Sequence, residues 1–466
     1  MSISSSTGIG SGLDINGIVS QLIAAEGKPQ FDSITNQETA AQTRLSGLGT
    51  LKSALSTFQT AVQKLNDVNL FKTTQAVSAN TAIFTTTAGA GSVPGSHAVE
   101  VTQLAASMQA IASTEYANSA APVATGAGGT LNFTYGSGST KTAFSVNIDA
   151  TNNTLVGVRD AINSAANNNG VTASIINVDS TVTPGTTISK LVLTSKDTGV
   201  ANGFAVAATG GDTGLDALNT ATPANYSTVA AADAIIKVDG LAATRSTNTI
   251  TDVLPGVTLN LQSASVGTAV NLNVTLDNAT INKTVSDFVT AYNNFHTVIS
   301  GLGSYGGTAA GATNGPLLGD STLLNISGNL RQNTTNPVTS ATTSYNSLAM
   351  IGISIDKNGV MALDSTTFNT ALAANLSAVS DVFGSSNGVA TRLNAKLTEY
   401  LQTGGSLDSQ QTSLNSRLTD LETRRASVQS HLDQMQASLL KQYIAMDTAV
   451  GQFKSTATFL TKSFGV

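Results

Sequence analysis

Few residues in this sequence combine the types and the spacing that chemistry requires. The three histidines are His97, His296 and His431, and none has a second His or a Cys at a spacing suited to metal ligation. Residues 356–359, DKNG, resemble the opening of a calcium-binding loop, but the glycine comes early and the closing acidic residue is missing. A hairpin turn is the better interpretation. We therefore predict no metal, no cofactor and no catalytic residue, and a protein that is not an enzyme.

The glycine-rich N-terminus is the second segment to examine for chemistry. Residues 4–26, SSSTGIGSGLDINGIVSQLIAAE, place three glycines before a short amphipathic stretch. A dinucleotide-binding fingerprint has the spacing G-x-G-x-x-G after a strand, whereas this segment has G-x-G-x-G with no apolar strand before it. It also lacks the basic region and the apolar run of a secretory signal peptide. We predict a flexible tail that leads into a helix, with Asp14 or Asn16 as the N-cap.

Composition restricts the kinds of partner. The 466 residues include no Cys and no Trp, charged residues make up 11% of the chain, and the net charge is −6. A disulfide framework and a cysteine-based metal site are therefore excluded. No basic surface is expected to attract nucleic acid or anionic lipid. Because no apolar run reaches the ~18 residues of a membrane span, we predict no membrane partner.

Both ends of the chain have the periodicity of long helices. Between Ile34 and Leu65, apolar residues recur at helical spacing, which indicates a helix with one apolar stripe. After Gly404 and Gly405, two apolar rows with a heptad repeat indicate a coiled-coil seam, with Ser406 as its N-cap. The first row is Leu407, Leu414, Leu421, Val428 and Met435, and the second is Leu418, Leu432, Leu439, Met446, Phe453 and Leu460, with Gln411 and Arg425 as polar exceptions.

Arg425 interrupts the second apolar row and has two interpretations. Its charge can specify which helices pair, or its stem can lie along the edge of the seam while the guanidinium stays in water. The sequence leaves both open. A lone helix would expose its leucine stripe at a cost of roughly 1.5–3 kcal/mol for each side chain. The seam therefore needs partners, which are the N-terminal stripe and other copies of the chain.

The middle of the chain has the alternation of short strands. Segments such as HAVEVTQLA (97–105) alternate apolar and polar residues, and they are bounded by Gly, Ser and Asn. One helix interrupts them, with Leu155, Val158 and Ile162 on one face. The predicted fold class is α+β and multidomain, with a long helical or coiled-coil stalk formed by both chain ends and β-rich head domains inserted between them. The predicted domains are a stalk of residues 1–75 and 276–466, a β-rich head domain of residues 76–120 and 231–275, and a second β-rich head domain of residues 121–230 inserted into the first.

Several segments, in collinear order, carry a resemblance to a known family. They begin with GIGSGLDINGIVSQLIAAE (8–26) and SHAVEVTQLAASMQAIAS (96–113), and the most specific is ADAIIKVDGLAATRSTNTITDVLPGVTLNL (232–261). The final MDTAVGQFKSTATFLTKSFGV (446–466) continues the match. These segments resemble the bacterial flagellar filament cap proteins, also called flagellar hook-associated protein 2. Residues 129–178 resemble a flagellin-type repeat that is found in flagellins and cap proteins.

The resemblance implies a structural protein at the distal tip of the flagellar filament. It implies a homo-oligomeric ring of about five copies, within a range of about four to six, whose heads form a plate and whose helical legs reach between filament subunits. Flagellin would fold and insert beneath the plate, and the cap would prevent subunit loss. The implied partners are flagellin, the filament tip, and a flagellar export chaperone at the C-terminal segment. The implied location is extracellular, after export by the flagellar type III system.

The predicted contact surface lies on the two chain ends. Residues 1–30 and about 440–466 are expected to be flexible in a lone subunit and to order against the filament or neighbouring copies. An alternative function is an outward-facing head that acts as an adhesin for host mucin or glycan, although Trp is absent and Tyr is sparse. The predicted contact residues are Ile15, Ile18, Leu22, Leu407, Leu414, Leu418, Leu421, Val428, Leu432, Met435, Leu439, Met446, Phe453 and Leu460.

Overall fold

The structure is a computed structural model that describes residues 10–126, 128–307, 313–339 and 345–465. Residues 1–9 and 466, which belong to the predicted flexible ends, lie outside the described residues. The chain divides into two compact units. The helical unit comprises Met1–Phe71 and Asn278–Val466, and the β-rich unit comprises Lys72–Asp277.

Long helices come from both ends of the chain, and strands occupy the middle, so the predicted fold class is confirmed. The helices are α1 (Ile15–Leu65), α2 (Leu155–Ser164), α3 (Thr213–Asp216), α4 (Asn278–Leu302), α5 (Ser321–Thr335), α6 (Ser365–Ala374), α7 (Leu376–Gly384), α8 (Val389–Leu401) and α9 (Ser406–Phe464). The strands are β1 (Thr74–Ser78), β2 (Phe84–Ala88), β3 (Gly95–Gln103), β4 (Gln109–Ala112), β5 (Gly129–Tyr135), β6 (Phe144–Ile148), β7 (Val171–Asp179), β8 (Thr187–Ser195), β9 (Phe204–Thr209), β10 (Tyr226–Val229), β11 (Ala234–Val238), β12 (Leu241–Arg245), β13 (Thr249–Leu254), β14 (Val257–Leu261), β15 (Val270–Leu276), β16 (Ile353–Ile355) and β17 (Met361–Leu363).

Helix α1 organises the helical unit because other helices pack along its length. Its C-terminal half packs on α4 and α8, and Phe58 stacks on Phe288 and Phe295 of α4 at ring-centroid distances of 5.8 and 5.3 Å. Its N-terminal half packs on α9. Stacked aromatic rings contribute about 0.5–1.5 kcal/mol beyond the area they bury. One helix therefore joins a compact helical body to a two-helix extension.

Helix α1 joins the helix predicted after Asp14 or Asn16 to the apolar stripe predicted between Ile34 and Leu65. It begins at Ile15, where the Asp14 carboxylate accepts a hydrogen bond of 2.9 Å from the Gly17 N–H, so Asp14 is the N-cap. It continues through Pro29, whose ring removes a backbone donor and usually breaks a helix. Burial of Val19 and Ile34 on either side of the proline explains the continuity, because packing outweighs one lost hydrogen bond.

Helix α9 begins after Gly404 and Gly405, but the predicted cap at Ser406 is wrong. Ser406 is the first helical residue, and the N-cap is Gly405, which makes no side-chain capping bond. The Asp408 carboxylate instead accepts a hydrogen bond of 2.9 Å from the Gly404 N–H. An acidic side chain in the first turn also suits the positive end of the helix dipole.

Among its described residues, the β-rich unit has two clusters of buried side chains. In the first, a sheet in the order β1-β15-β3-β11-β12 packs with the sheet β13-β14-β2 around Phe84, Leu259 and Leu272. In the second, the sheets β10-β4-β8-β7 and β6-β5-β9 enclose Phe133 together with the apolar face of α2. The second cluster draws on residues 110–226, which interrupt the segments that form the first. Helix α2 carries Leu155, Val158 and Ile162 on its buried face, which confirms the helix predicted there.

Candidate assembly surface on the paired terminal helices

The predicted contact residues fall into three groups of different exposure. Four of them are buried within the chain, namely Ile15, Leu407, Leu421 and Leu432. Six are half-buried, namely Ile18, Leu414, Leu418, Val428, Met435 and Leu439. The remaining four are exposed, namely Leu22, Met446, Phe453 and Leu460.

Leu432 of the buried group faces α1, which runs antiparallel to α9. Glu38 lies beside Arg425 and Gly27 beside Leu432, so the residue numbers run in opposite directions along the two helices. A Cβ atom added at Gly27 would lie 2.6 Å from Leu432 Cδ1, closer than real side chains approach one another. The absence of a side chain at Gly27 of α1 thus leaves the space that Leu432 of α9 fills. Leu432 is 3% exposed, so its side chain is already buried by contacts within one chain.

Arg425 forms an ion pair between the two helices. Its guanidinium donates to both carboxylate oxygens of Glu38, at 3.2 and 2.6 Å, and to the Thr35 hydroxyl at 2.9 Å. It also lies 5.9 Å from the centre of the Phe31 ring. The hydrogen bond to Glu38 raises the pKa of Arg425 above its usual value. These contacts favour the pairing interpretation of Arg425, because a planar fork bound to one carboxylate fixes the register of α1 against α9.

The exposed residues of α9 lie toward its C-terminal end. Met446, Phe453 and Leu460 are 42%, 75% and 46% exposed, and they follow one another at heptad spacing on one face of the helix. We call these three residues the exposed row. Scattered surface leucines are ordinary, but a row of large apolar side chains on one helical face is typical of an interaction surface.

Asp447 is the residue of this surface that sequence reasoning missed. It lies on α9 next to Met446, is 8% exposed, and accepts hydrogen bonds from Gly10 and Ser11. An aspartate beside an apolar heptad row gives no sequence signal that distinguishes it from a solvated one. Only the antiparallel pairing of α1 and α9 brings it to the N-terminal segment.

The residues considered for chemistry lie apart from one another. His97 pairs with Asp239 at 2.8 Å in the β-rich unit, His296 lines a cavity of about 110 Å³ in the helical unit, and His431 is exposed on α9. The DKNG segment is a hairpin turn between β16 and β17, in which the Asp356 carboxylate accepts from the Asn358 and Val360 N–H groups. Within the described ranges, no three acidic or imidazole side chains are grouped as a metal ion requires.

No helix among the described residues combines the length and the hydropathy of a membrane span. On the paired terminal helices, Leu421 and Leu432 are buried within the chain, whereas the exposed row is accessible to solvent.

Comparisons with known proteins cover almost the whole chain. The family models described as flagellar hook-associated protein 2 N-terminus and C-terminus match residues 11–108 and 231–455, and a flagellin hook IN motif matches residues 130–197. The chain is 34% identical to flagellar hook-associated protein 2 of Escherichia coli K12, over 99% of this chain and 98% of that one. It is 32% identical to A-type flagellar hook-associated protein 2 of Pseudomonas aeruginosa, over 97% of this chain and 95% of that one.

A solved structure has the same architecture. It is a crystal structure of the D1-D2-D3 domains of the flagellar cap protein FliD from Escherichia coli. The two structures align with a TM-score of 0.65 and 34% sequence identity, over 79% of this chain and 99% of that one.

Proposed function

The chain belongs to the flagellar hook-associated protein 2 family, and we propose that it works as a structural cap at the distal tip of the bacterial flagellar filament. In this role it promotes the folding and insertion of flagellin and prevents the loss of subunits. The proposal follows from family membership and from the architecture shared with a flagellar cap protein.

The observation that carries the proposal within this chain is the exposed row on α9. Met446, Phe453 and Leu460 are large apolar side chains that remain exposed, whereas the other seam residues of α9 are buried or half-buried. Burying apolar surface contributes about 25 cal/mol for each Å². A helix that ends in such a row is suited to insert between subunits of a polymer, because it gains stability only when it is covered.

The proposed partners are those that the family resemblance implies, and the exposed row is consistent with them. We propose a ring of about five copies, within a range of about four to six, that contacts flagellin at the filament tip through residues of the two chain ends. Before assembly, an export chaperone covers the C-terminal segment that contains the exposed row. The chain reaches the cell exterior through the flagellar type III system. Each of these partners removes the exposed row from water at a different stage.

Point variants of the exposed row test the capping role. Phe453→Ser combined with Leu460→Ser, introduced into a strain that lacks its own cap protein, is expected to give short or absent filaments and flagellin in the medium. Both side chains are exposed, so the substitutions leave the packing of α9 on α1 intact. The matched control is Gln452→Ser, on the same helix and also exposed. Filaments of normal length in the double variant would contradict the proposal.

Light scattering tests ring formation independently. The mass of the full chain is measured across a concentration series and compared with that of the Phe453→Ser, Leu460→Ser variant. A defined oligomer that forms only with the exposed row intact supports assembly through α9. If both proteins form the same oligomer, the β-rich unit or the helical body sets the ring. If the full chain stays monomeric at every concentration, a ring built from free subunits is contradicted.

A further inference from the structure

A buried carboxylate on α9 holds a backbone turn from the other end of the chain. The Asp447 carboxylate accepts three hydrogen bonds, from the Gly10 N–H at 3.2 Å, the Ser11 N–H at 2.6 Å and the Ser11 hydroxyl at 2.6 Å. Lys454, about two turns further along α9, donates to the Ser11 carbonyl at 3.5 Å. Successive backbone N–H groups that converge on one anion form a nest, which recognises negative charge without a cationic side chain.

Glycine is required for this approach at residue 10. A Cβ atom added to Gly10 would overlap the backbone carbonyl oxygen of Asp447 and lie 3.0 Å from the Gly451 nitrogen. A Cβ atom added to Gly451 would lie 3.4 Å from Gly10 Cα, which is an ordinary contact. Residue 10 must therefore be a glycine to approach α9 this closely. At residue 451 of α9, by contrast, an alanine side chain would fit.

The burial of Asp447 makes the turn necessary to the helix. A carboxylate that is 8% exposed has lost most of its water and is costly to bury without hydrogen-bond donors. The Gly10–Ser11 turn supplies those donors. In return, Asp447 fixes the turn four residues before α1 begins at Ile15.

We propose that Asp447 and Gly451 form a docking site on α9 for the Gly10–Ser11 turn of the same chain. We call this contact the terminal clasp. It fastens residues 10 and 11 to α9 and leaves the exposed row accessible, because Met446 and Phe453 lie on a neighbouring face of the helix. Residues 10–14, which precede α1, are thus part of the folded subunit in the absence of any filament. The proposal of the terminal clasp does not depend on the capping role, because it rests only on contacts within one chain.

Amide hydrogen exchange on the full-length protein tests the clasp. In Asp447→Ala, exchange of the amides of residues 10–18 is expected to accelerate about tenfold or more, because three hydrogen bonds to one charged acceptor are lost. Asp420→Ala is the matched control, since Asp420 is an exposed carboxylate on the same helix. Helices α1 and α9 remain paired through Leu432 and Arg425, so both variants are expected to fold.

A pair of glycine variants tests the clasp from its other side. Gly10→Ala is expected to accelerate exchange across residues 11–18 to the level of Asp447→Ala, whereas Gly451→Ala is expected to leave it unchanged. Two results would overturn the proposal. One is equal exchange in wild type and in Asp447→Ala. The other is protection that disappears on dilution, since the turn would then dock on another copy rather than on its own α9.

Discussion

The inner and distal parts of α9 carry the same heptad pattern but meet different surroundings. In the inner part, Leu407, Leu421 and Leu432 are buried within the chain. In the distal part, Met446, Phe453 and Leu460 continue the row of Leu432 but are exposed. The heptad repeat therefore indicates that a helix needs a partner, and it does not say which partner. The buried leucines of the inner part lie within the subunit, and the distal part is the surface that we propose for assembly.

The largest expected effect is the loss of stability when a buried side chain in the inner part of α9 is shortened. Leu432→Ala removes a buried side chain that packs against Gly27, and it is expected to lower the free energy of unfolding of the helical unit by about 2–5 kcal/mol. Urea unfolding followed by helix circular dichroism measures this change. The distal Leu460→Ala serves as the matched control. Equal losses in the two variants would abolish the distinction between the two parts of α9.

A smaller loss is expected where α1 meets the first turn of α5. The Asp320 carboxylate caps α5 through the Thr322 and Leu323 N–H groups and pairs with Arg44 of α1 at 2.6 Å. Asp320→Ala is therefore expected to cost about 1–2 kcal/mol at neutral pH, as the loss of an N-cap does. Urea unfolding measures it, with Asp287→Ala, a helix-surface carboxylate whose side chain is 46% exposed, as control.

The same carboxylate gives the helical unit a defined acid response. Burial raises the pKa of Asp320, but hydrogen bonds from Arg44, Leu323 and Thr322 outweigh it, so the pKa lies below its usual 3.8. A depressed pKa stabilises the folded state above the unfolded value and loses that contribution as the pH falls through the folded value. The free energy of unfolding is expected to fall below about pH 4, and less steeply in Asp320→Asn. Parallel slopes would show that Asp320 does not contribute.

The ion pair between Arg425 and Glu38 is expected to contribute less. Its side chains are 41% and 18% exposed, so solvent screens the attraction, and a coupling of about 0.5–1 kcal/mol is expected. A double-mutant cycle with Arg425→Ala and Glu38→Ala measures the coupling energy. Arg424→Ala in place of Arg425→Ala is the control, because Arg424 is exposed on the same helix. A coupling of zero would leave Arg425 with no role in setting the register.

The smallest effect on stability is expected in the distal part. Phe453→Ala is expected to change the free energy of unfolding by less than about 0.5 kcal/mol, because the side chain is 75% exposed. Urea unfolding of the isolated subunit measures it. A loss comparable to that of Leu432→Ala would show that Phe453 is covered in the free subunit.

Much of the fold was predictable because its signals are local. The heptad rows predicted α9, the spacing of Leu155, Val158 and Ile162 predicted α2, and the Asn358–Gly359 turn predicted the hairpin of β16 and β17. The collinear motifs also identified the family, which the comparisons confirm. The helix predicted after Asp14 or Asn16 and the apolar stripe predicted between Ile34 and Leu65 are parts of the single helix α1, which Asp14 caps.

Less of the candidate surface was predictable because its contacts join distant residues. Glu38 meets Arg425 and Gly10 meets Asp447 only after α1 and α9 have paired in one register. The sequence left two interpretations of Arg425 open. It predicted that Gly10 belongs to a flexible tail, and it contained no signal for the close approach of Gly10 to Asp447. The assignment of individual seam residues to filament or oligomer contacts remains a prediction.

The way in which the β-rich unit begins and ends has a consequence for how such chains diversify. Its first and last strands, β1 and β15, pair antiparallel, and the Asp277 N–H donates to the Thr73 carbonyl at 2.9 Å. The two points where the chain enters and leaves the unit are therefore neighbours. A module with adjacent ends can be enlarged, shortened or exchanged by recombination without stretching the backbone that it interrupts. The helical unit can stay constant while the inserted module varies.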